Sequence, residues 1–321
     1  MKKLAIAAAA AAALTAGVAN AYTTGTFSNG FVVPNVYHNG SGDTTAVGVI
    51  NGRSSSVAVH WVFYDQDSVH KRDGCFVMTA NDFEPFVWAA PKSGSNTLDV
   101  SGLAGTRGYL VFAVGTDSAG ARDDAALKTT CDNYENIYLP STTSASNASA
   151  QVLAGAAFHV KTATSDVAYV PVIDGPLAST LTPAVSFSSS TNDPVTSVAG
   201  AADASDTHFL RFFTAGGAKT DIVIWNSAAY NAGQGASAQF SKVAFPYDTN
   251  QGSYGSITLP LTKKELNIFD AGTVVGTTPN DGFIRWTPMA SATTPGVFTY
   301  SVINAPAFGA LQSIVNPYLS N

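Results

Sequence analysis

The acidic segment 65–73 contains three carboxylates that could act together, those of Asp65, Asp67 and Asp73. Carboxylates at alternate positions in a turn can converge on Ca²⁺, which takes oxygen ligands. The segment lacks the central glycine and the terminal glutamate of an EF-hand loop, and two adjacent basic residues offset its charge. It is a candidate calcium site, and a solvated hairpin tip is the competing interpretation, which the sequence favours.

Two histidines near this segment are candidate copper or zinc ligands. His60 lies in an alternating, strand-like segment and His70 follows the next turn, so a hairpin could bring the imidazoles together, with His38 as a third. No pair has a diagnostic spacing such as His-x-His. A structural, hydrogen-bonded histidine is the commoner outcome, and no cofactor is predicted.

Aromatic side chains are the other chemical feature, because an exposed ring can stack on the face of a sugar. The candidates are Trp61, Trp88, Trp225 and Trp286. Three of them lie within strand-like segments that are typical of a core. Trp88 precedes Ala-Ala-Pro at the end of a strand-like segment, and it is the candidate among the four for an exposed, ligand-binding ring.

Catalytic motifs of defined spacing are absent from the sequence. There is no Gly-x-Ser-x-Gly elbow and no glycine-rich phosphate loop. Glycoside hydrolysis needs a pair of carboxyl groups, but the three glutamates, at positions 84, 135 and 265, lie in no distinctive aromatic-rich setting apart from Glu84. We interpret the segment around Glu84 as a strand with acids on its wet face, and we expect a non-enzymatic protein.

The N-terminus has the features of a signal peptide. Lys2 and Lys3 precede an apolar, alanine-rich segment, residues 4–14, and small residues end at Ala21. We predict that residues 1–21 are a signal peptide cleaved after Ala21. The protein is then secreted or located on the outer surface of a Gram-negative bacterium, with the periplasm as the alternative.

The only two cysteines are Cys75 and Cys131. In an exported chain an isolated cysteine pair predicts one disulfide. Two free thiols or a soft metal site are the alternatives, and neither has supporting histidine spacing.

Composition excludes several classes of partner. Charged residues make up 12% of the chain and the net charge is −6, so there is no basic face for a nucleic acid. No later segment is long and apolar enough for a transmembrane helix. The hydrophobic content of 45% is ample for a packed core.

Short alternating segments separated by Gly, Asn, Asp and Pro clusters predict an all-β protein of the sandwich type. One short helical insertion is expected within 119–136, and 311–314 is a second helix candidate. Two β-sandwich domains are predicted, at residues 22–180 and 181–321.

An internal duplication would explain this organisation. Residues 42–51 align with 217–226, each is followed by a Tyr-Asp pair (64–65 and 247–248), and each later by Gly-aromatic-aliphatic (108–110 and 282–284). Chance similarity within a β-rich chain is the competing explanation.

Several short motifs in order resemble a group of exported proteobacterial proteins of β-sandwich type. They are residues 31–37, Asn39-Gly40 with Thr45 and 49–51, Gly108-Tyr109, 153–160 and 209–216. The resemblance implies export and a β architecture, and it carries no activity and no residue role.

These observations lead us to expect a secreted or cell-surface protein with a structural or interaction role outside the cytoplasm, and self-assembly is a subsidiary hypothesis. Polar, uncharged strands leave edges that can pair between subunits. A glycan- or ligand-binding module is the first alternative, and an exported metal-binding protein is the second.

Overall fold

The computed structural model describes residues 25–116, 127–132, 137–140, 151–162, 165–181, 185–187, 190–230, 239–276, 278–292 and 294–320. These residues fold into antiparallel sheets with few helical turns, which confirms the predicted all-β class. The predicted signal peptide lies outside them. Within the described ranges no helix has the length and apolarity needed to cross a membrane.

The N-terminal half forms two sheets and a small hairpin. Its strands are β1 (Gly30–Val36), β2 (Thr44–Asn51), β3 (Val57–Asp65), β4 (His70–Met78), β5 (Phe83–Val87), β6 (Lys92–Ser93), β7 (Asn96–Thr97), β8 (Gly108–Ala113), β9 (Leu153–Lys161), β10 (Asp166–Val170) and β11 (Ile173–Asp174). Sheet 1 has the order β11-β1-β8-β3-β4, and sheet 2 has the order β10-β9-β2-β5. The hairpin is β6-β7.

Sheets 1 and 2 pack face to face, as the period-two pattern predicts. Phe86 of β5 meets Trp61 of β3 with ring centroids 5.3 Å apart and Phe112 of β8 at 5.0 Å. The inward residues of both sheets are fully buried in one hydrophobic cluster. The two sheets therefore form a β-sandwich.

The C-terminal half forms a second pair of sheets. Its strands are β14 (Ala202–Asp203), β15 (Thr207–Phe213), β16 (Lys219–Asn226), β17 (Val243–Asp248), β18 (Ile257–Thr258), β19 (Leu266–Asp270), β20 (Asp281–Trp286), β21 (Pro295–Ala305), β22 (Ala310–Val315) and β23 (Tyr318–Leu319). In sheet 3, β21 pairs with β14, β22 and β16, and β16 pairs with β19. Sheet 4 has the order β18-β17-β20-β15-β23, and sheets 3 and 4 enclose their own apolar cluster.

A two-stranded pair, β12 (Leu177–Ala178) with β13 (Ser197–Val198), lies between the halves. The predicted domain boundary at 180/181 falls inside this connecting segment. Because β12 and β13 pair across that point, the boundary at this residue stays a prediction.

Helical structure is confined to single turns in the described residues. The α-helix α1 (Ala271–Val275) begins at Asp270, whose side chain accepts the N–H of Gly272, and 3₁₀ turns occupy Ser101–Leu103, Ala215–Gly217, Ala228–Tyr230 and Pro306–Phe308. Most of the helix predicted within 119–136 lies outside the described residues. The helix predicted at 311–314 is wrong: these residues belong to β22, where pairing with β21 overrides local propensity.

The two halves repeat the same topology. The strands of the two halves correspond one to one, and sheet 1 then has the strand order of sheet 4 and sheet 2 that of sheet 3. The strands β15 to β23 match, in chain order, β1, β2, β3, β4, β5, β8, β9, β10 and β11. The three pairs of sequence motifs all fall on matched strands: β2 with β16, the ends of β3 and β17, and β8 with β20. This agreement is what an internal duplication predicts, and it is hard to attribute to chance.

Hydrogen bonds at matched positions are repeated too. The Thr45 hydroxyl in β2 donates to the carbonyl of Tyr37 (3.2 Å) and accepts its N–H (3.1 Å). Thr220 in β16 does the same with Phe213, at 2.7 and 2.9 Å. In both halves a buried threonine therefore ties the second strand to the end of the first.

The turn after the third strand is also the same in both halves. Asp65 and Asp248 each accept backbone N–H bonds from the residues two and four positions later. The residue three positions later has a positive φ in both turns, 65° at Ser68 and 67° at Gln251. The acidic segment that begins at Asp65 thus forms a structural turn, and the second half repeats this turn.

Two matched glycines give a test of the repeat. A Cβ at Gly108 or at Gly282 would overlap the carbonyl oxygen of Tyr64 or of Tyr247 across the sheet. We expect Gly108→Ala and Gly282→Ala each to lower the free energy of unfolding by about 1–3 kcal/mol. Denaturant titration measures this, with Gly102→Ala as the control because a Cβ there meets no atom within 4 Å. Equal stability of all three variants would contradict the close approach.

Candidate interaction faces

The outer face of sheet 2 is apolar across all four strands. Alternate residues of β2, β5, β9 and β10 point away from the core, and none of these outward positions carries a charge. We call this surface the N-terminal outer face. Its large side chains, each 38–60% exposed, are Ile50, Phe83, Val87, Phe158, Val167 and Tyr169. A continuous exposed apolar surface of this kind is typical of an interaction site.

The outer face of sheet 4 is aromatic. Phe283 in β20 stacks on Tyr247 at 5.2 Å with planes 16° apart, and it meets Phe209 of β15 at 5.6 Å. Val243 and Phe245 of β17 extend this surface and are 51% and 42% exposed. We call these five residues the C-terminal outer face. Two arginines lie among them: Arg211, which is ion-paired with Asp281, and the exposed Arg285.

A cleft of 280 Å³ opens on this second face. Its walls are Ser241, Val243, Phe245, Arg285 and Thr287. The volume is just below the range usual for small-molecule sites, and the lining combines an aromatic ring with hydroxyl and guanidinium donors.

The outer faces of sheets 1 and 3 are buried against each other and against the connecting segment. Tyr64 and Tyr109 stack 5.5 Å apart on sheet 1, and Trp225 on sheet 3 meets Tyr109 edge-on at 6.0 Å. The Tyr64 hydroxyl donates to the carbonyl of Phe187 in the connecting segment. All three rings are fully buried in one apolar cluster that includes residues of both halves.

Polar contacts fix the rim of this internal interface. The carbonyl of Gln66, in the turn after β3, accepts the N–H groups of Glu265 (3.0 Å) and Leu266 (3.2 Å) at the start of β19. Lys263 lies 2.8 Å from Asp67 in the same turn. The two sandwiches are therefore held in a defined relation by both apolar and polar contacts.

Asp193 is a buried acid at this interface. Its carboxyl group accepts hydrogen bonds from the Tyr109 hydroxyl (3.1 Å) and the Val195 N–H (2.9 Å). Burial raises the pKa of Asp193 to about 8. Glu265 is also fully buried, and burial raises its pKa well above the usual value. Both acids lie where the two halves meet, Asp193 against Tyr109 of sheet 1 and Glu265 next to Gln66 in the turn after β3.

The raised pKa of Asp193 gives a pH-dependent prediction. The unfolded carboxyl loses its proton near pH 4, whereas the folded one keeps it until about pH 8. Between these values the unfolded state binds fewer protons, so this residue lowers the free energy of unfolding by up to about 1.4 kcal/mol per pH unit as pH rises. We expect Asp193→Asn to lose less stability than wild type between pH 5 and pH 8 in denaturant titrations. Glu265 contributes to the pH dependence of both proteins. Parallel profiles of the free energy of unfolding against pH for wild type and Asp193→Asn would contradict the raised pKa of Asp193.

The predicted calcium ligands do not converge. Among the described residues there is no group of three or more His, Cys, Asp or Glu side chains able to hold a metal. Each carboxylate has a basic partner instead: Asp65 with Lys71 at 2.9 Å, Asp67 with Lys263 at 2.8 Å and Asp73 with His70 at 3.1 Å. These residues shape a turn and the internal interface, which corrects the calcium hypothesis.

The predicted pair of histidine ligands is separated by the hairpin register. His60 lies opposite Cys75, whereas Tyr64 lies opposite His70, so the histidines are four residues apart along the strands, roughly 13 Å. His60 is fully buried with Nε2 3.7 Å from Cys75 Sγ. Burial, and secondarily the charge of Lys128, lowers the pKa of His60 to about 3. A joint copper or zinc site of His60 and His70 is therefore wrong.

The cysteine prediction is confirmed. Cys75 in β4 and Cys131 form a disulfide with a Cα–Cα distance of 5.7 Å. The bridge attaches the segment 127–132 to sheet 1, where the Lys128 carbonyl also accepts the N–H of Ala58 at 3.0 Å.

Trp88, the candidate for an exposed ligand-binding ring, does not lie on the surface. Trp88 is completely buried and stacks on Phe63 at 4.2 Å. Its backbone N–H donates to the Thr45 carbonyl, and this bond continues sheet 2 one residue past β5. Alternation along that strand turns Val87 outward and Trp88 inward. The other three tryptophans are buried as well.

Polar and aromatic motifs in the sequence do not mark the outer faces. The sequence does contain one indication of them: β2 and β5 have apolar residues on both sides of the strand, as in Val47-Gly-Val-Ile50 and Phe83-Glu-Pro-Phe-Val87. Strands that are apolar on both sides are expected to be covered on both sides.

Comparison with known proteins gives no further information: no family model, no curated protein and no solved structure matches the chain.

Proposed function

We propose that this chain is a non-enzymatic interaction protein that works outside the cytoplasm, as a secreted or cell-surface component, and that it binds through its two outer faces. The observation that carries the proposal is the N-terminal outer face. Six large apolar side chains on four adjacent strands lie there at 38–60% exposure without an intervening charge. Keeping such a surface in water is unfavourable, so a partner that covers it would be stabilised by apolar burial.

The export part of the proposal rests on the N-terminal residues and fits the disulfide between Cys75 and Cys131. Cell fractionation with intact-mass analysis tests it. We expect a chain that begins at Tyr22, found outside the cytoplasm, with the mass of the oxidised cysteine pair. A cytoplasmic, full-length, reduced chain would contradict it.

Binding through the N-terminal outer face is tested by charging it. Phe83 is 60% exposed, so Phe83→Glu should leave the fold intact. The matched control is Val77→Glu, since Val77 is 44% exposed and lies on β4, outside both outer faces. Sedimentation velocity over a concentration series should show association of wild type and of the control, and its loss in Phe83→Glu. If wild type stays monomeric under every condition, the protein does not self-associate and that part of the proposal is removed.

The cleft on the C-terminal outer face favours a second candidate function, glycan binding. A pyranose ring could stack on Phe245 while Arg285 and Thr287 donate hydrogen bonds to its hydroxyl groups. A glycan array that compares wild type with Phe245→Ala tests this. Binding that the substitution abolishes would support it, and an array without binding by wild type would remove it.

A further inference from the structure

The two exposed outer faces are the counterparts of the two faces that are buried inside the molecule. In the internal interface, the first half contributes sheet 1 and the second half contributes the outer face of sheet 3. The strand matching makes sheet 4 the counterpart of sheet 1 and sheet 2 the counterpart of sheet 3. The C-terminal outer face is therefore a second copy of the sheet 1 contact surface, and the N-terminal outer face is a second copy of the sheet 3 contact surface. No described part of the chain covers either of them.

The match extends to single side chains. Tyr64 and Tyr109 stack at 5.5 Å in the internal interface, and their counterparts Tyr247 and Phe283 stack at 5.2 Å on the C-terminal outer face. Both pairs are directly opposite each other across neighbouring strands, and each is next to the matched glycine, Gly108 or Gly282. The second half thus has, on its outer face, a stacked aromatic pair equivalent to the one that the first half buries.

The N-terminal outer face, on sheet 2, also matches its buried counterpart on sheet 3. Trp225, which meets Tyr109, corresponds to Ile50, because each is the residue before the terminal asparagine of the matched strands β2 and β16. Leu266, which pairs with Trp225, corresponds to Phe83, which pairs with Ile50. Ile50 and Phe83 are 38% and 60% exposed, whereas Trp225 and Leu266 are fully buried.

From this correspondence we propose that the occupant of each outer face is a second copy of the chain, joined head to tail: the C-terminal outer face of one copy packs on the N-terminal outer face of the next. The contact repeats the internal interface. Because the two joined surfaces are different, the association is heterologous and continues into an open filament unless a rotation closes it into a ring. The proposal rests on the proposed function, since it names the partner of the same faces.

The polar rim of the internal interface predicts where the next copy lies. The turn 65–69 contacts residues 263–266, so its counterpart 248–252 should contact residues 80–83 of the following copy. The residues of this second turn are mostly exposed, as are residues 80 and 81.

A mixing experiment distinguishes this arrangement from others. Phe83→Glu charges the N-terminal outer face, and Tyr247→Glu charges the C-terminal outer face. We expect wild type to form species larger than dimers by sedimentation velocity, each variant alone to be monomeric, and an equimolar mixture to form a dimer of about twice the monomer mass. Each variant keeps one intact face, and the two charged faces repel each other, so the mixture stops at two copies.

The other outcomes separate the two proposals. If Tyr247→Glu alone still dimerises, the N-terminal faces bind each other; the head-to-tail arrangement is then overturned and the interaction function stands. If wild type never associates, both self-association and the head-to-tail arrangement are overturned. Circular dichroism and thermal unfolding of each variant show that it is folded. Should Tyr247→Glu not fold, Phe245→Glu replaces it, because Phe245 is 42% exposed on the same face.

Discussion

Replacing Trp88 by alanine should be the most destabilising single substitution considered, with a loss of about 3–5 kcal/mol in the free energy of unfolding. The indole is completely buried between the two N-terminal sheets, against Phe63 at 4.2 Å and Trp61 at 6.2 Å. Removing it leaves a cavity that the surrounding β-sandwich can close only in part. Denaturant unfolding followed by circular dichroism gives the value directly.

Phe83→Ala is the matched control, because Phe83 lies on the same stretch of chain as Trp88 but points outward and is 60% exposed. Its truncation should cost less than about 1 kcal/mol in stability. The pair therefore separates the core side of this strand from its interaction side. Similar losses for both variants would show that the inward and outward assignments are wrong.

Removal of the disulfide should lower the free energy of unfolding by about 4 kcal/mol on the chain-entropy model. The bridge joins residues 56 positions apart and attaches the segment around Cys131 to β4. The double variant Cys75→Ala/Cys131→Ala isolates the effect without leaving a free thiol. Denaturant titration of the oxidised wild type and the variant measures it.

Wild type treated with reductant is the control for this variant, and it should unfold at nearly the same denaturant concentration. A loss below about 1 kcal/mol would mean that the bridge adds little constraint to the unfolded chain. The Gly102→Ala variant keeps its disulfide, and its free energy of unfolding gives the variation between preparations.

Much of the fold could be predicted from alternation in the sequence. Strands such as β3 and β8 follow period-two segments, and the three aligned motif pairs fall on matched strands. Two of these pairs mark repeated local structure, namely the turn after the third strand and the close approach at Gly108 and Gly282. The segment 311–314 could not be assigned in this way. Its strand structure depends on pairing with β21, which local propensity does not encode.

The candidate site was less predictable than the fold. The cysteine count predicts the disulfide, but residue type alone does not place Trp88, His60 or His70, because it contains neither the side of the strand nor the pairing register. The alternation of side chains along the strand places Trp88 in the core, and the pairing register of β3 with β4 separates His60 from His70. The outer faces depend on which sheets cover one another, and that information is available only when all four sheets are in place.

If copies of the chain join by repeating the internal interface, cross-linking across that contact should link one copy to the next. Ala80 and Asn250 are exposed counterparts of Lys263 and Asp67, which lie 2.8 Å apart at the rim of that interface. We expect the double variant Ala80→Cys/Asn250→Cys, treated with a short bis-maleimide, to give a ladder of dimers, trimers and larger species under denaturing conditions. Each single cysteine variant should give no ladder. Absence of the ladder from a sample that sedimentation shows to be associated, or equal dimers from either single variant, would contradict the head-to-tail interface.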